Sequence, residues 1–385
     1  MSSRALIAVL AFAAVLFAVQ VSVEAAPIPV IIDCDLNSDD MLALAYVIAK
    51  VEQNPTEYKL IYVAGLGGGW NTFKEGSFTF LRLLKFMNES QIGYGEGAPT
   101  ATTYLGRRAE ALIPNPPFKA FKTSTRMIAN LSFINPPALK PPYPVKDAYN
   151  AIDRMALLLL QAKTPVRIIS LGGFTNLAYL LATYPTIASK IETVWVMGGA
   201  VYVPGNLYIS CFFWYNCTKD NLVNTKAEWN IWLDPKAASF VFKMLFRKIY
   251  LIPLDVTDQV PFTNEFYNQM IPFKRVGKPA IKVWYEIMTH IKGNEGADLE
   301  FYYFWDPTAA VAALEEDPAM FEYRTIRILV DDKDYNGAWN DETGRTKPDP
   351  AGVPVKVAIK VNPTLMKAEL LKVLTYGRAI YVPPV

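Results

Sequence analysis

The sequence predicts an α/β protein: a single doubly wound domain with a largely parallel sheet flanked by helices, preceded by a signal peptide. Three observations carry this reading. Apolar, β-branched runs suited to strands buried on both faces recur at 28–32, 58–63, 166–171, 191–196 and 249–254. Segments with apolar residues at helical spacing stand between them. The strands end on turns rich in glycine, acids or amides, and open α/β sheets place their ligands at such strand ends. No stretch reads as a linker and no internal repeat is present, so residues 27–385 form one domain.

Residues 1–26 form the signal peptide. Arg4 supplies a positive start, 5–19 is a short apolar run of small residues, and Val23-Glu24-Ala25 offers a cleavage site. A signal anchor is the alternative, but the run is short for a membrane span. No later stretch is apolar enough to cross a bilayer, so a secreted or lumenal protein without membrane attachment is expected.

The first strand leads through Asp33, Asp35, Asp39 and Asp40 into a helix marked by Met41, Leu44, Ala45 and Ile48, with Ser38 or Asp39 as N-cap. Strand 58–63 runs into a glycine-rich turn, 64–71. It lacks the Gly-Lys-Ser/Thr of a phosphate loop. A helix follows over 77–87, and 93–150 is a proline-rich excursion. Helix 151–162 precedes strand 166–171, the turn Gly172-Gly173-Phe174-Thr175-Asn176 and a helix from Leu177. Strand 191–196 ends at Gly198-Gly199, and a long loop with Asn206 leads to Glu228-Trp229-Asn230. Asp234-Pro235 opens a helix through Phe242. Strand 249–254, helices over 264–293 and a helix opened by Asp306-Pro307 follow. A β-rich tail closes the chain, with strands at 323–330 and 355–361 and a helix at 364–374.

A hydrophobic fraction of 52% with 19% charged residues describes a globular chain with a large core. The net charge of +2 without a basic block gives no support for nucleic acid as partner. Cys34 reads as a small buried hydrophobe. Cys211 and Cys217 could pair in an oxidising compartment. Asn88, Asn130 and Asn216 each open an N-glycosylation sequon.

Chemistry concentrates in the run DCDLNSDD, residues 33–40. Four carboxylates in eight residues repel one another unless a cation sits among them, and a hard, oxygen-loving metal such as Ca²⁺ or Mg²⁺ is the simplest candidate. A solvated acidic loop would account for Asp39-Asp40 at a helix start, but poorly for Asp-Cys-Asp on a buried strand. Thr175, Glu228, Asn230 and Asp306 lie at other strand ends, where each could also be a helix cap. His290 is the sole histidine, which argues against a Ser-His-Asp triad, a His-rich zinc site or a histidine acid. What remains is carboxylate and metal chemistry on a polyhydroxylated ligand.

The run DCDLNSDD resembles the Asp-x-Asp-x-x-x-Asp-Asp signature of the inosine-uridine nucleoside hydrolase family. The resemblance continues in order through LGGFTNLA (171–178), MGGAV (197–201), GN (205–206), AEWNIWLDPKAA (227–238), PLDVT (253–257) and WDPTAA (305–310). It implies a Ca²⁺-dependent enzyme that hydrolyses the N-glycosidic bond of ribonucleosides to ribose and free base. By position, it implies Asp35, Asp40, Asp306 and the backbone carbonyl of Thr175 as Ca²⁺ ligands, with Asp35 also the general base on the attacking water. Asp33 matches a supporting position; Asp39, Asn206, Glu228 and Asn230 match groups that hold ribose hydroxyls. Two positions depart from the pattern. Trp305 stands where many members carry a histidine that protonates the leaving base, and Leu66 replaces an asparagine in the first glycine turn. Trp305 could stack on a base or belong to the core. Both departures, with the signal peptide, resemble the secreted plant-type branch.

Two rivals follow from the same residues. A haloacid-dehalogenase-like phosphatase would use the strand-end Asp33-x-Asp35, but leaves Asp39-Asp40 and every later block unexplained. A secreted nucleoside-binding protein that has lost turnover would account for Trp305 and Leu66, but has no need of Asp35. If the chain self-associates, a homodimer is the expected form.

Overall fold

The computed structural model describes residues 26–67, 73–98, 151–207, 224–274, 277–294, 302–333 and 342–376. The signal peptide, Asn71, most of the proline-rich excursion, the sequons at Asn130 and Asn216, and Cys211 and Cys217 lie outside them.

The chain opens with β1 (Ile28–Cys34), α1 (Ser38–Gln53), β2 (Tyr58–Gly65), α2 (Phe73–Phe86) and β3 (Gly93–Glu96). It continues with α3 (Ala151–Gln161), β4 (Val166–Ser170), α4 (Thr175–Thr183), β5 (Ile191–Met197), α5 (Trp229–Leu233), α6 (Pro235–Leu245), β6 (Ile249–Ile252) and α7 (Leu254–Thr257). It ends with α8 (Asn264–Met270), α9 (Pro279–Asn294), α10 (Trp305–Leu314), β7 (Phe321–Val330), β8 (Thr346–Pro348), β9 (Val353–Val361) and α11 (Pro363–Thr375).

The nine strands form one sheet in the order β3-β2-β1-β4-β5-β6-β9-β7-β8. Neighbours from β3 through β9 run parallel, while β7 pairs antiparallel with both β9 and β8 at the edge. The chain therefore winds outward from β1 to β3, returns to β4 and winds out the other way. The direction reverses between β1 and β4, and the crevice at their carboxyl ends is where a doubly wound sheet takes its ligand. This is the fold class read from the sequence.

Packing on both faces explains the continuous apolar strands. On β1, Val30, Ile32 and Cys34 pack into a core with α1, α9, α10 and α11, while Ile31 faces the opposite core with α3, α4 and α6. Each such buried aliphatic side chain contributes roughly 1.5–3 kcal/mol. Helix α1 is buried without a break from Asp40 to Lys50, and α10 from Asp306 to Leu314. Both are central helices, and they pack on each other.

Local boundaries differ in instructive ways. Asn37, not Ser38 or Asp39, is the N-cap of α1, and its backbone N–H donates to Asp40 Oδ2 at 2.7 Å. Thr175 and Asp306 are not caps: Phe174 and Phe304 hold those positions, and both polar residues sit inside the first turn of their helices. Helix α2 begins at Phe73, ahead of the expected 77, and β6 stops at Ile252 because Pro253 starts the short α7.

Candidate functional site

The site grows from the exit of β1. Cys34 is buried and its thiol donates to the Ala64 carbonyl, closing the strand against β2. Leu36 then adopts φ +70°, a left-handed conformation costly for a branched side chain. That reversal turns the chain between Asp35 and Asp39, so that strand-end and helix-start carboxylates converge. Across the switch point, a Cβ on Gly172 would stand 2.9 Å from Asp35 Cβ, so the β4 turn approaches Asp35 as only glycine allows.

Asp39, Asp40 and Asp306 each place a carboxylate oxygen within 4.8 Å of the others. Asp40 lies within hydrogen-bonding reach of Asp35 as well as of Asp306. Burial pushes all four carboxyls upward, and repulsion from neighbouring acids adds to it at Asp35, Asp40 and Asp306: Asp35 rises to about 8, Asp39 to about 6, and Asp40 and Asp306 well above the carboxylate range. Asp33 accepts from Asn176 Nδ2 at 2.7 Å, but burial still lifts it to about 7. Three buried oxygens, Asp33 Oδ2, Asp39 Oδ1 and Asp40 Oδ1, have no hydrogen-bond partner among the described residues. Unpaired buried acceptors beside like charges suit a cation with several oxygen ligands, and a bound cation reverses the upward shifts. The donor set, all oxygen, fits Ca²⁺ or Mg²⁺ and not a thiolate-loving metal.

The remaining expected residues surround this group on the same carboxyl edge. Thr175 Oγ1 donates to Asp234 Oδ2 at 2.7 Å, which ties the β4 turn to the cap of α6. Glu228 caps α5: Oε1 accepts from Asn230 N at 2.9 Å, and Oε2 from Gly199 N at 2.9 Å and Ile231 N at 3.2 Å. Gly199 reaches it with φ +84°. Burial nonetheless raises Glu228 to about 7. Asn230 donates its amide to the carbonyls of Leu171 and Met197, both at 3.2 Å, bracing β4 against β5. Asn206 Oδ1 accepts from Trp229 N at 2.8 Å. Trp305, half-buried, packs edge-on against Tyr302 and donates its indole N–H to Asp258.

The family model described as inosine-uridine preferring nucleoside hydrolase matches residues 30–368. The chain belongs to the inosine-uridine preferring nucleoside hydrolase family. As a nucleoside hydrolase it is an N-glycosyl hydrolase. Among its relatives, the pyrimidine-specific ribonucleoside hydrolase RihA of Shewanella sp. (strain MR-4) is 29% identical over 307 residues, 80% of each chain. RihA of Shewanella sp. (strain MR-7) is 32% identical over 237 residues, 62% of each. In fold, the hydrolase resembles the inosine-uridine preferring nucleoside hydrolase of Bacillus anthracis, at 19% identity and TM-score 0.67 over 90% of this chain and 99% of that one. It resembles a plant nucleoside hydrolase, PpNRh1, equally well, at 23% identity and TM-score 0.67 over 91% and 99%.

One residue of this edge, Asp258, which accepts from the Trp305 indole, escapes a motif reading. Asn176, which donates to Asp33, and Asp234, which accepts from Thr175, lie within motifs but gain these roles only in the structure. Asp258 stands one residue beyond PLDVT at the carboxyl end of β6, so carrying the strand-end rule one residue further would have found it. Leu66 is fully buried against Ala98 and Leu233, as a core residue. His290 lies half-buried on α9, where burial lowers its pKa.

Proposed function

We propose that this protein is a secreted, Ca²⁺-dependent ribonucleoside hydrolase that cleaves purine or pyrimidine ribonucleosides to ribose and free base. The observation that supports it most is the set of partnerless buried oxygens on Asp33, Asp39 and Asp40 at the switch point of the sheet. Asp35, Asp40, Asp306 and the Thr175 carbonyl would hold the ion. When bound, Ca²⁺ supplies a compact positive charge that takes six to eight oxygens, enough for vicinal sugar hydroxyls and a water besides the protein ligands.

Asp35 accepts the proton of the attacking water, in the carboxylate form that a bound cation favours. Asp39 and Asn206 hold ribose hydroxyls, and Asn230 offers its side-chain oxygen beside them. Glu228 has already taken three backbone N–H groups, so it contributes one remaining lone-pair direction and otherwise fixes the β5 turn. The surrounding negative charge stabilises an oxocarbenium-like transition state. Trp305 offers a ring for the base. Secretion rests on the leader at 1–26, and the exposed sequon Asn88 lies in a left-handed turn after α2.

The test is release of base and reducing sugar from inosine, adenosine, uridine and xanthosine by the purified mature protein, with Ca²⁺ and after chelation. Turnover that disappears on chelation is expected, and it ranks the bases. Nucleoside binding in Ca²⁺ without turnover would replace the hydrolase by a binding protein.

A further inference from the structure

Cleaving an N-glycosidic bond needs a proton acceptor for water and a proton donor for the departing base. Among the described residues at this edge, nearly every carboxyl is committed. Asp39, Asp40 and Asp306 cluster together with Asp35 beside Asp40, and the reading above gives them to the ion and the ribose; Asp33 is tied to Asn176. Glu228 and Asp234 serve as caps. Asp255 takes the N–H groups of Val201 and Tyr202, one on each oxygen, at 2.8 Å. Asp258 is the exception. Its Oδ1 accepts from Trp305 Nε1 at 3.3 Å, and no hydrogen bond to a described residue engages Oδ2.

The backbone fixes this pair. Asp258 ends α7, its N–H bonded to the Leu254 carbonyl at 3.0 Å. The segment after it pairs with the segment before Trp305: Phe262 N donates to Tyr302 O at 2.8 Å, Phe304 N to Val260 O at 3.0 Å, and Pro261 bridges Tyr303. Asp258 is thus pinned beside the residue next to Asp306. Resting on the hydrolase reading above, we propose that Asp258, oriented by the Trp305 indole, is the acid that protonates the leaving base. As the C1′–N bond breaks and water oxygen bonds to C1′, the water proton passes to Asp35 and the Asp258 proton passes to the base nitrogen.

Burial raises Asp258 to about 6; the Trp305 hydrogen bond lowers it and the charge of Asp255 raises it. Glu228 and Tyr303 also feel its charge. An acid titrating there is poised for work near neutral pH.

The experiment compares inosine with 4-nitrophenyl β-D-riboside, whose leaving group departs without a proton, in wild type, D258N and W305F. D258N should lose about 10²-fold or more in kcat on inosine, the usual contribution of a general acid. It should keep wild-type turnover of the nitrophenyl riboside and lose the fall in inosine turnover above pH about 6. W305F keeps a ring but removes the donor that favours the carboxylate, so that limb should move to higher pH. Equal loss on both substrates, no loss on inosine, or an unmoved limb in W305F overturns the inference. A wild type that cleaves neither substrate overturns the hydrolase reading and this assignment with it, whereas a D258N effect confined to inosine supports both.

Discussion

Helices α1 and α10 bury carboxylates at both ends, and the two ends solve the problem differently. At their amino ends lie Asp39, Asp40 and Asp306, all raised and with two buried oxygens partnerless on Asp39 and Asp40. At the carboxyl ends, Lys50 of α1 pairs with Glu315, just past α10, at 2.5 Å and with Glu369 of α11 at 2.8 Å. Burial alone would raise Glu369, but hydrogen bonds from Lys372 and Lys50 carry it below its ordinary value. One end supplies its own cation from the chain. Among the described residues, the other has only the positive ends of two helix dipoles, worth up to about 1 kcal/mol per exposed carboxylate, against the three acids Asp39, Asp40 and Asp306. The difference teaches where an external cation belongs.

The largest effect comes from breaking the incomplete end. Asp40→Ala should abolish Ca²⁺ binding by titration calorimetry and lower base release by at least 10²–10³-fold, the order seen when a preorganised electrostatic group is lost. In the chelated state the same change relieves crowding of the acids but removes the acceptor of the Asn37 N–H, so stability should move by no more than about 1 kcal/mol. A variant that still binds Ca²⁺ at wild-type affinity would remove Asp40 from the cation group.

Breaking the complete end should do the reverse. Lys50→Met leaves Glu369 with Lys372 alone and should cost about 3 kcal/mol in urea unfolding, the low end for a broken buried pair. Catalysis with saturating Ca²⁺ should be unchanged. Loss of Ca²⁺ affinity in this variant would show that the two ends are not independent.

Chelation and pH sharpen the contrast next. Ca²⁺ at a hundred times its Kd should add about 2.7 kcal/mol of stability, lost in chelator. Asp33 and Glu228 both rise to about 7 in the fold, so ionising them costs stability. That cost is absent below their unfolded values and complete once pH passes about 7. The chelated protein should therefore melt at lower temperature at pH 8 than at pH 5, and Ca²⁺ should flatten the fall. Melting curves across pH, with and without chelator, check it; a chelated protein most stable at pH 8 would contradict the sign.

The incomplete end was largely legible in the sequence, and the complete end was not. DCDLNSDD after an apolar run announces itself because its four acids fall within eight residues at a strand end. The doubly wound topology followed from the same period-based reading. Lys50, Glu315 and Glu369 are separated by more than 250 residues at the first gap, and only the packing of three helices brings them together. The same limit hid the role of Asp258, which depends on the bridge between Pro261 and Tyr303 just before Trp305. Glu228 and Asn230 were legible as polar strand-end residues, but their bonds to Gly199, Leu171 and Met197 arise from the register of β4 and β5. A spacing shows that a group is near a strand end; only the fold shows how many of its lone pairs are already taken.

The smallest effect concerns the sole histidine. His290 lies half-buried on α9, a helix anchored to α1 by the Trp284 indole, which donates to the Leu42 carbonyl at 2.9 Å. Burial lowers the imidazole pKa, so it is mostly neutral at pH 7 and adds little charge to either end of α1. His290→Ala should keep kcat/KM on nucleosides within about twofold and cost under about 1 kcal/mol of stability, as for a partly exposed side chain outside the core. Carboxylates alone then carry the proton traffic, Asp35 on the water side and Asp258 on the base side. A dead but folded His290→Ala would return the imidazole to the mechanism and remove the elimination on which the acid assignment stands.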